Sequence, residues 1–265
     1  MKAIHPVTGT ISITLSEIEL WTAAELTGAV RLWNTQNRWQ QVTDKEKAQA
    51  TESLIRQNLF YAAPDGKLVP EIDLARLLNT FRQARAIILF QTYYGLQEEV
   101  VYQADAGAML QSPRGDGVIE LVDLPNLATL VAWFAGALGL TSDQTGRQPA
   151  FDMPADVLLE SQQLMRVQQI KKAKQRLADA ALPEDLMARL QNALSSPISQ
   201  ALAIRIDIQR DELTGNGFFL LEGEQDFWLV NLLDGFAHFE LASAGRVRRA
   251  LKDLIQIRAL SDANQ

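Results

Sequence analysis

Few residues of this chain have the types and spacing that chemistry requires. His238 lies near Asp234 and Ser243, which together supply the side chains of a nucleophilic triad: a hydroxyl to attack, an imidazole to move its proton and a carboxylate to orient the ring. No G-x-S-x-G elbow or comparable nucleophile turn surrounds Ser243. The flanking Phe236 and Phe239 instead make His238 read as a strand histidine with a structural partner. The other histidine, His5, reads as a surface residue. Adjacent carboxylates at Glu98-Glu99 and Asp211-Glu212, and the nearby Glu222 and Glu224, are the raw material of general acid–base catalysis. On a strand, however, neighbours such as Glu98 and Glu99 point to opposite faces and do not share a site.

Phosphate chemistry is equally thin. Gly115-Asp116-Gly117 and Gly215-Asn216-Gly217 each contain a Gly-x-Gly step, but neither opens a helix with the third glycine or the Lys-Ser/Thr pair that cradles phosphates. They read as hairpin turns, where Asp-Gly and Asn-Gly accept positive φ. Arg114-Gly115-Asp116 spells an adhesion tripeptide that recurs by chance in loops. Two basic runs, Lys171-Lys172-Lys174-Arg176 and Arg246-Arg248-Arg249-Lys252, fit solvated helix faces; the second lies opposite Val247, Leu251 and Leu254. No catalytic, cofactor-binding or metal-binding residue is assigned, and no cofactor is expected.

The composition narrows the partners. Lys and Arg total 25 against 32 Asp and Glu, a net charge of -7, so the chain repels polyanions and nucleic acid is a disfavoured partner. The chain has no cysteine, which suits a reducing cytoplasm. Its 265 residues, 47% of them hydrophobic, suffice for one large domain or two small ones. The opening Met1–Thr14 lacks a basic patch followed by an apolar core, so it does not read as a signal peptide. Leu124–Ser142 is uncharged, yet it barely reaches the about 20 residues of a membrane span and is apolar on one side. It reads as a buried or interface helix rather than a membrane insertion.

The elements follow from periodicity. A strand at Ile11–Thr14 precedes a capping box, Ser16 with Glu19, and a helix expected to run to about Trp33. Thr43 with Glu46 opens a second helix to about Asn58, Pro64-Asp65-Gly66 marks a turn, and Leu74, Leu77, Leu78 and Phe81 stripe a third helix from Glu71 to Ala84. Four strands follow, Ala86–Tyr94, Glu98–Gln103, Gly107–Gln111 and Gly117–Val122, joined so tightly that they must form an antiparallel meander. Thr141–Gln148 reads as a linker.

The second half restates the plan. Met153-Pro154 opens a helix, a long polar helix is expected over Gln162–Ala180, and a third covers Pro183–Leu194. A second meander comprises Leu202–Ile208, Asn216–Glu222, Asp226–Asn231 and Gly235–Leu241, and a closing helix spans Gly245–Arg258. Leu127, Leu130, Val131 and Phe134 are echoed by Val247, Ala250, Leu251 and Leu254 at a constant offset, which Gly115 and Gly235 share. The sequence therefore predicts an internal duplication: an α+β fold of two pseudo-twofold-related halves, 1–140 and 149–265, each with helices, a four-stranded antiparallel meander and a closing helix, together forming one compact domain.

Four features carry a resemblance: the Ile11-Ser12-Ile13-Thr14-Leu15-Ser16-Glu17 strand-to-helix step, Leu54-Ile55-Arg56-Gln57-Asn58-Leu59 before Pro64-Asp65-Gly66, the two meanders, and Phe151-Asp152-Met153-Pro154. On these the chain resembles the EspG family of cytosolic chaperones in type VII (ESX) secretion. The resemblance implies a central antiparallel sheet flanked by helical bundles, no catalysis, and a cytoplasmic protein that keeps helical secreted proteins of PE-PPE or another WXG type soluble. It also implies a contact surface on an early hairpin, here Tyr93, Tyr94 and Leu96, and on C-terminal helices carrying Met165, Leu186 and Met187. A homodimer is left open. Two other readings compete: a winged-helix-type regulator built from the first three helices and the Tyr61–Val69 loop, and a hydrolase working through carboxylates.

Overall fold

The computed structural model describes residues 2–6, 8–29, 42–92, 98–105, 107–137, 150–196, 199–207, 217–223 and 227–256. The fold is α+β, and every strand pairing with a described register is antiparallel. The chain forms two compact units: Met1–Leu89 with Gln97–Trp133 and Asp207–Glu212, and Phe90–Leu96 with Phe134–Ile206 and Leu213–Gln265. The linker expected at Thr141–Gln148 lies outside the described residues.

The first unit contains β1 (Lys2–Ile4), β2 (Ile11–Ser16), α1 (Glu17–Thr27), α2 (Asp44–Arg56), the hairpin β3 (Phe60–Ala62) and β4 (Leu68–Pro70), and α3 (Ile72–Arg82). β5 (Ala86–Thr92), which belongs to this unit up to Leu89, β6 (Glu98–Ala104), β7 (Gly107–Gly115), β8 (Val118–Leu124) and α4 (Leu127–Ala137), which belongs to it up to Trp133, follow. The main sheet runs β1-β2-β8-β7-β6-β5. Strand alternation divides it into two faces. Ile13, Leu121 and Gln111 share one with Tyr102, Met109 and Asp123, and α3 packs there: the Phe81 ring meets Tyr102 edge-on at 4.7 Å, and Arg76 pairs with Asp123 at 2.9 Å. Ser12, Val122, Leu110 and Val101 share the opposite face, and all four are buried.

Both expected capping boxes are present, Ser16 with Glu19 and Thr43 with Glu46. α1 does not reach Trp33. Gly28 adopts the left-handed conformation (φ 71°) and its amide bonds back to Ala24 and Glu25, which closes the helix six residues early. The α3 stripe is as expected, with Leu74, Leu77, Leu78 and Phe81 all buried. In α4, Leu130, Val131 and Phe134 are buried, and among the described residues no helix is long and apolar enough to cross a membrane. His5 departs from the surface position expected of it. It is only 4% exposed, because the turn after β1 folds it under Thr8 and Thr10.

The second unit contains β9 (Phe151–Pro154), α5 (Ala155–Arg166), α6 (Ile170–Ala178), α7 (Glu184–Ser195), β10 (Ser199–Asp207), β11 (Gly217–Glu222), β12 (Phe227–Leu233), β13 (Phe236–Leu241) and α8 (Ala244–Gln256). Its strands run β10-β11-β12-β13-β9. Val157, Leu158, Met165, Leu177, Leu190 and Leu194 of the helices bury one sheet face, where Trp228 and Phe239 lie and Phe151 stacks on Phe239 at 4.4 Å. The buried Arg205 donates from Nη1 to the carbonyls of Leu254 and Ile255, at 3.3 and 3.1 Å, and so satisfies two acceptors at the end of α8.

The long helix expected over Gln162–Ala180 is two helices. Gln168 takes a left-handed φ of 59°, its amide bonds to Met165 and that of Gln169 to Leu164, so the chain reverses and α6 folds back on α5. Arg176 holds the pair together, bonding Asp156 and Glu160 of α5 at 2.6 Å each and Asp179 at 2.9 Å.

Strand wiring is the same in both units: the strand before the first helix pairs with the last strand of the meander, β2 with β8 and β9 with β13. Turn geometry refines the glycine match. Asp116-Gly117 and Asp234-Gly235 both have two successive positive φ values, so in turn geometry Gly235 is like Gly117.

Candidate partner-binding surface

The candidate chemical residues are spent on structure. His238 Nδ1 meets Asp152 Oδ1 at 2.7 Å across the β13–β9 register, while Ser243 Oγ accepts from the Arg246 amide as a helix cap. Ser243 and Asp234 make no triad with it: one caps α8, the other sits in the β12–β13 turn. Asp211, Glu212 and Glu224 lie outside the described residues.

A polar row crosses the first unit's sheet. Glu99 accepts from Ser112 Oγ at 2.7 Å, and Glu120 accepts from Arg114 Nε at 2.8 Å. Burial pushes the Glu99 carboxyl up. Burial acts the same way on Glu120, but bonds from Arg114 and Ser12 and the Arg114 charge outweigh it and hold that carboxyl down. Two carboxyls with opposed shifts are the raw material of an acid–base pair. Here each already has its own hydrogen-bond donor. Among the described residues, no group of three His, Cys, Asp or Glu side chains is placed to hold a metal.

The winged-helix reading gains a true hairpin, β3–β4, after α2. Its electrostatics oppose it, because exposed Lys45 and Arg56 on α2 alternate with Asp44 and Glu52.

The positions singled out for partner contact fall in different places. Tyr93, Tyr94 and Leu96 lie outside the described residues. Met165 and Leu186 are 9% and 5% exposed, and Met187 is half-buried against the same core. Sequence reasoning missed the residues that stand outside them. Leu159 is 50% exposed, Val167 57% and Ile170 46%. Leu159, Gln163 and Val167 recur every fourth residue along the outside of α5, and Ile170 stands exposed at the start of α6. Lys171, Lys172 and Lys174 are exposed on α6, while Arg176 occupies the carboxylates of Asp156, Glu160 and Asp179. α5 and α6 thus expose both apolar and basic side chains on an acidic protein.

The order of helices and meander strands in the two units defines an EspG-type α+β architecture. The chain is similar in structure to the type VII secretion system chaperone EspG5 of Mycobacterium tuberculosis, solved in complex with a PE25-PPE41 dimer: the TM-score is 0.65, and the match covers 92% of this chain and 95% of that one at 12% sequence identity. At that identity the likeness is one of fold. No family model matches the chain, and no curated protein matches it in sequence.

Proposed function

We propose that this chain is a non-enzymatic, chaperone-like binding protein of the cytoplasm that holds a helical secretion substrate, of the PE-PPE kind or another WXG type, for a type VII (ESX)-like system. The observation that carries this reading is the fold likeness to a chaperone solved with its PE25-PPE41 partner, which extends over nearly the whole of both chains. The outside of α5 and α6 adds a surface suited to an amphipathic helix: Leu159, Val167 and Ile170 offer apolar anchors, and Lys171 and Lys174 meet acidic residues flanking the partner's apolar face. Met165 and Leu186 are buried beneath the surface, and half-buried Met187 and the Tyr93–Leu96 segment are further contacts. Internal duplication accounts for the repeated wiring of the two units.

Co-expression with helical secreted proteins encoded beside the gene tests the proposal. A partner that is insoluble alone and becomes soluble and co-purifies with this chain supports it. A partner equally soluble without the chain, with no complex formed, counts against it.

A further inference from the structure

β1 is lightly held. Its three residues are exposed, Ile4 by 65%, and they pair with β2 through Lys2↔Ile13, Ala3↔Ser12 and Ile4↔Ile11. The Lys2 ammonium reaches Glu71 at 3.0 Å and also pairs with Asp73. The next residue is the opposite in character. His5 is buried, its amide donates to the Thr10 carbonyl at 2.7 Å, and its carbonyl accepts from the Gly9 amide at 2.9 Å.

The side chains of this turn form a relay whose protons can be counted. Thr10 Oγ1 donates to the Asp123 carbonyl at 2.5 Å. Its one proton spent, it accepts from Thr8 Oγ1 at 2.7 Å. Thr8 Oγ1 also lies 3.2 Å from His5 Nδ1, a contact whose direction follows the protonation of the ring. The Thr8 amide donates to the same nitrogen at 3.4 Å, which only an unprotonated Nδ1 accepts. The neutral ring that takes this bond has its hydrogen on Nε2, and Nδ1 is the atom that takes up a proton.

We propose that His5 is a pH-operated pin for the N-terminal strand: while Nδ1 is bare it accepts from the Thr8 amide, the ring stays under the turn and β1 covers the edge of β2, and once Nδ1 is protonated that bond is lost, the imidazolium moves to solvent and β1 comes away. The charged groups facing the ring are Glu120 on β8 and Arg114 on β7, which are bonded to each other; Glu99 on β6 is coupled electrostatically to both. Thr10 before β2 and Ser12 on it are uncharged, and Lys2 is engaged with Glu71 and Asp73. Burial lowers the His5 pKa from its ordinary 6.5; the Glu120 charge opposes this and the Arg114 charge adds to it. A lowered folded-state value means that the closed turn has its full stability above pH 6.5 and loses it as the pH falls below that value. Release uncovers the backbone donors and acceptors of Ile11–Ile13, a template for pairing with another strand.

The chain has no cysteine, so an Ala3→Cys variant carries a single spin label on an exposed position of β1. Lowering the pH from about 7.5 to a value at which NMR shows His5 protonated is expected to reduce the immobilised component of its spectrum, with a midpoint matching the His5 titration. His5→Asn keeps an amide acceptor near the Nδ1 position and has nothing to protonate, so the label is expected to stay immobile at both pH values. A wild-type label that stays immobile at the lower pH overturns the proposal. So does release in the His5→Asn protein with an unchanged midpoint, or a release midpoint that differs from the His5 titration.

Discussion

The amide of Glu17, first residue of α1, donates to the carbonyl of Gly117 in the β7–β8 turn at 2.7 Å. The bond recurs in the second unit, where Ala155, first residue of α5, donates to Gly235 in the β12–β13 turn at 2.8 Å. A helix leaves its first amides without intrahelical partners, and in both units a hairpin turn supplies an acceptor for one of them. The contact also fixes the first helix relative to the meander.

Gly117 and Gly235 can bond in this way because both hold left-handed φ, 72° and 81°, and a Cβ at either would meet nothing within 4 Å. Replacing either with alanine therefore costs backbone strain without a clash, about 1 to 2 kcal/mol by urea denaturation, and similarly at both sites. Gly223→Ala acts by the other route. Its Cβ would lie 2.8 Å from that of Ala193 and 3.1 Å from its Cα, so α7 must shift, at a cost of about 1 to 3 kcal/mol.

Glu19 closes the first capping box and does more. It is 8% exposed, accepts from the Ser16 amide and from Gln57 Nε2, both at 2.7 Å, and so ties α1 to the end of α2. Burial acts to raise its pKa, but the bonds from Ser16, Ser53 and Gln57 prevail and hold the carboxyl below the usual 4.5. Because the folded-state value is depressed, its stabilisation is present above pH 4.5 and lost as the pH falls through the folded-state value. The stability gap between wild type and Glu19→Gln, measured by thermal melts, is expected to be open at pH 7 and closed in acid. Ser16→Ala, which removes the cap alone, costs about 1 kcal/mol.

Glu99 has the opposite sign. Burial raises its pKa, so ionising it at neutral pH costs the folded state more than the unfolded chain. Glu99→Gln keeps an acceptor for Ser112 and removes the charge. It is expected to melt above wild type at pH 7, with the advantage shrinking as the pH falls to about 4 and wild-type Glu99 becomes protonated.

The legible parts of the fold were those with several turns of period. The stripe of α3 through Leu74, Leu77, Leu78 and Phe81, and that of α7 through Leu186, Leu190 and Leu194, mark their buried faces correctly, and Gly and Pro bracket most meander strands. β1, β3, β4 and β9 have only three or four residues each, too few to show alternation, and β9 ends in proline. The reversal between α5 and α6 was hidden because glutamine, not glycine, takes the left-handed position at Gln168. Gly28 did announce the end of α1, but apolar residues beyond it extended the apparent stripe. The contact surface was the least legible element. Met165 and Leu186 have the composition of anchors yet face the core, whereas Leu159 and Val167 are recognised only once the helix they follow has been placed.

Partner binding through the outside of α5 and α6, as proposed, is measured by calorimetric titration of the co-purified helical partner against wild type and a Leu159→Asp/Val167→Asp variant. Both positions are more than half solvent-exposed or at that margin, so the variant is expected to melt with wild type. It is expected to bind at least about tenfold more weakly, a loss of about 1.4 kcal/mol or more. Equal affinity in a folded variant, or no binding by the wild type, would contradict the account.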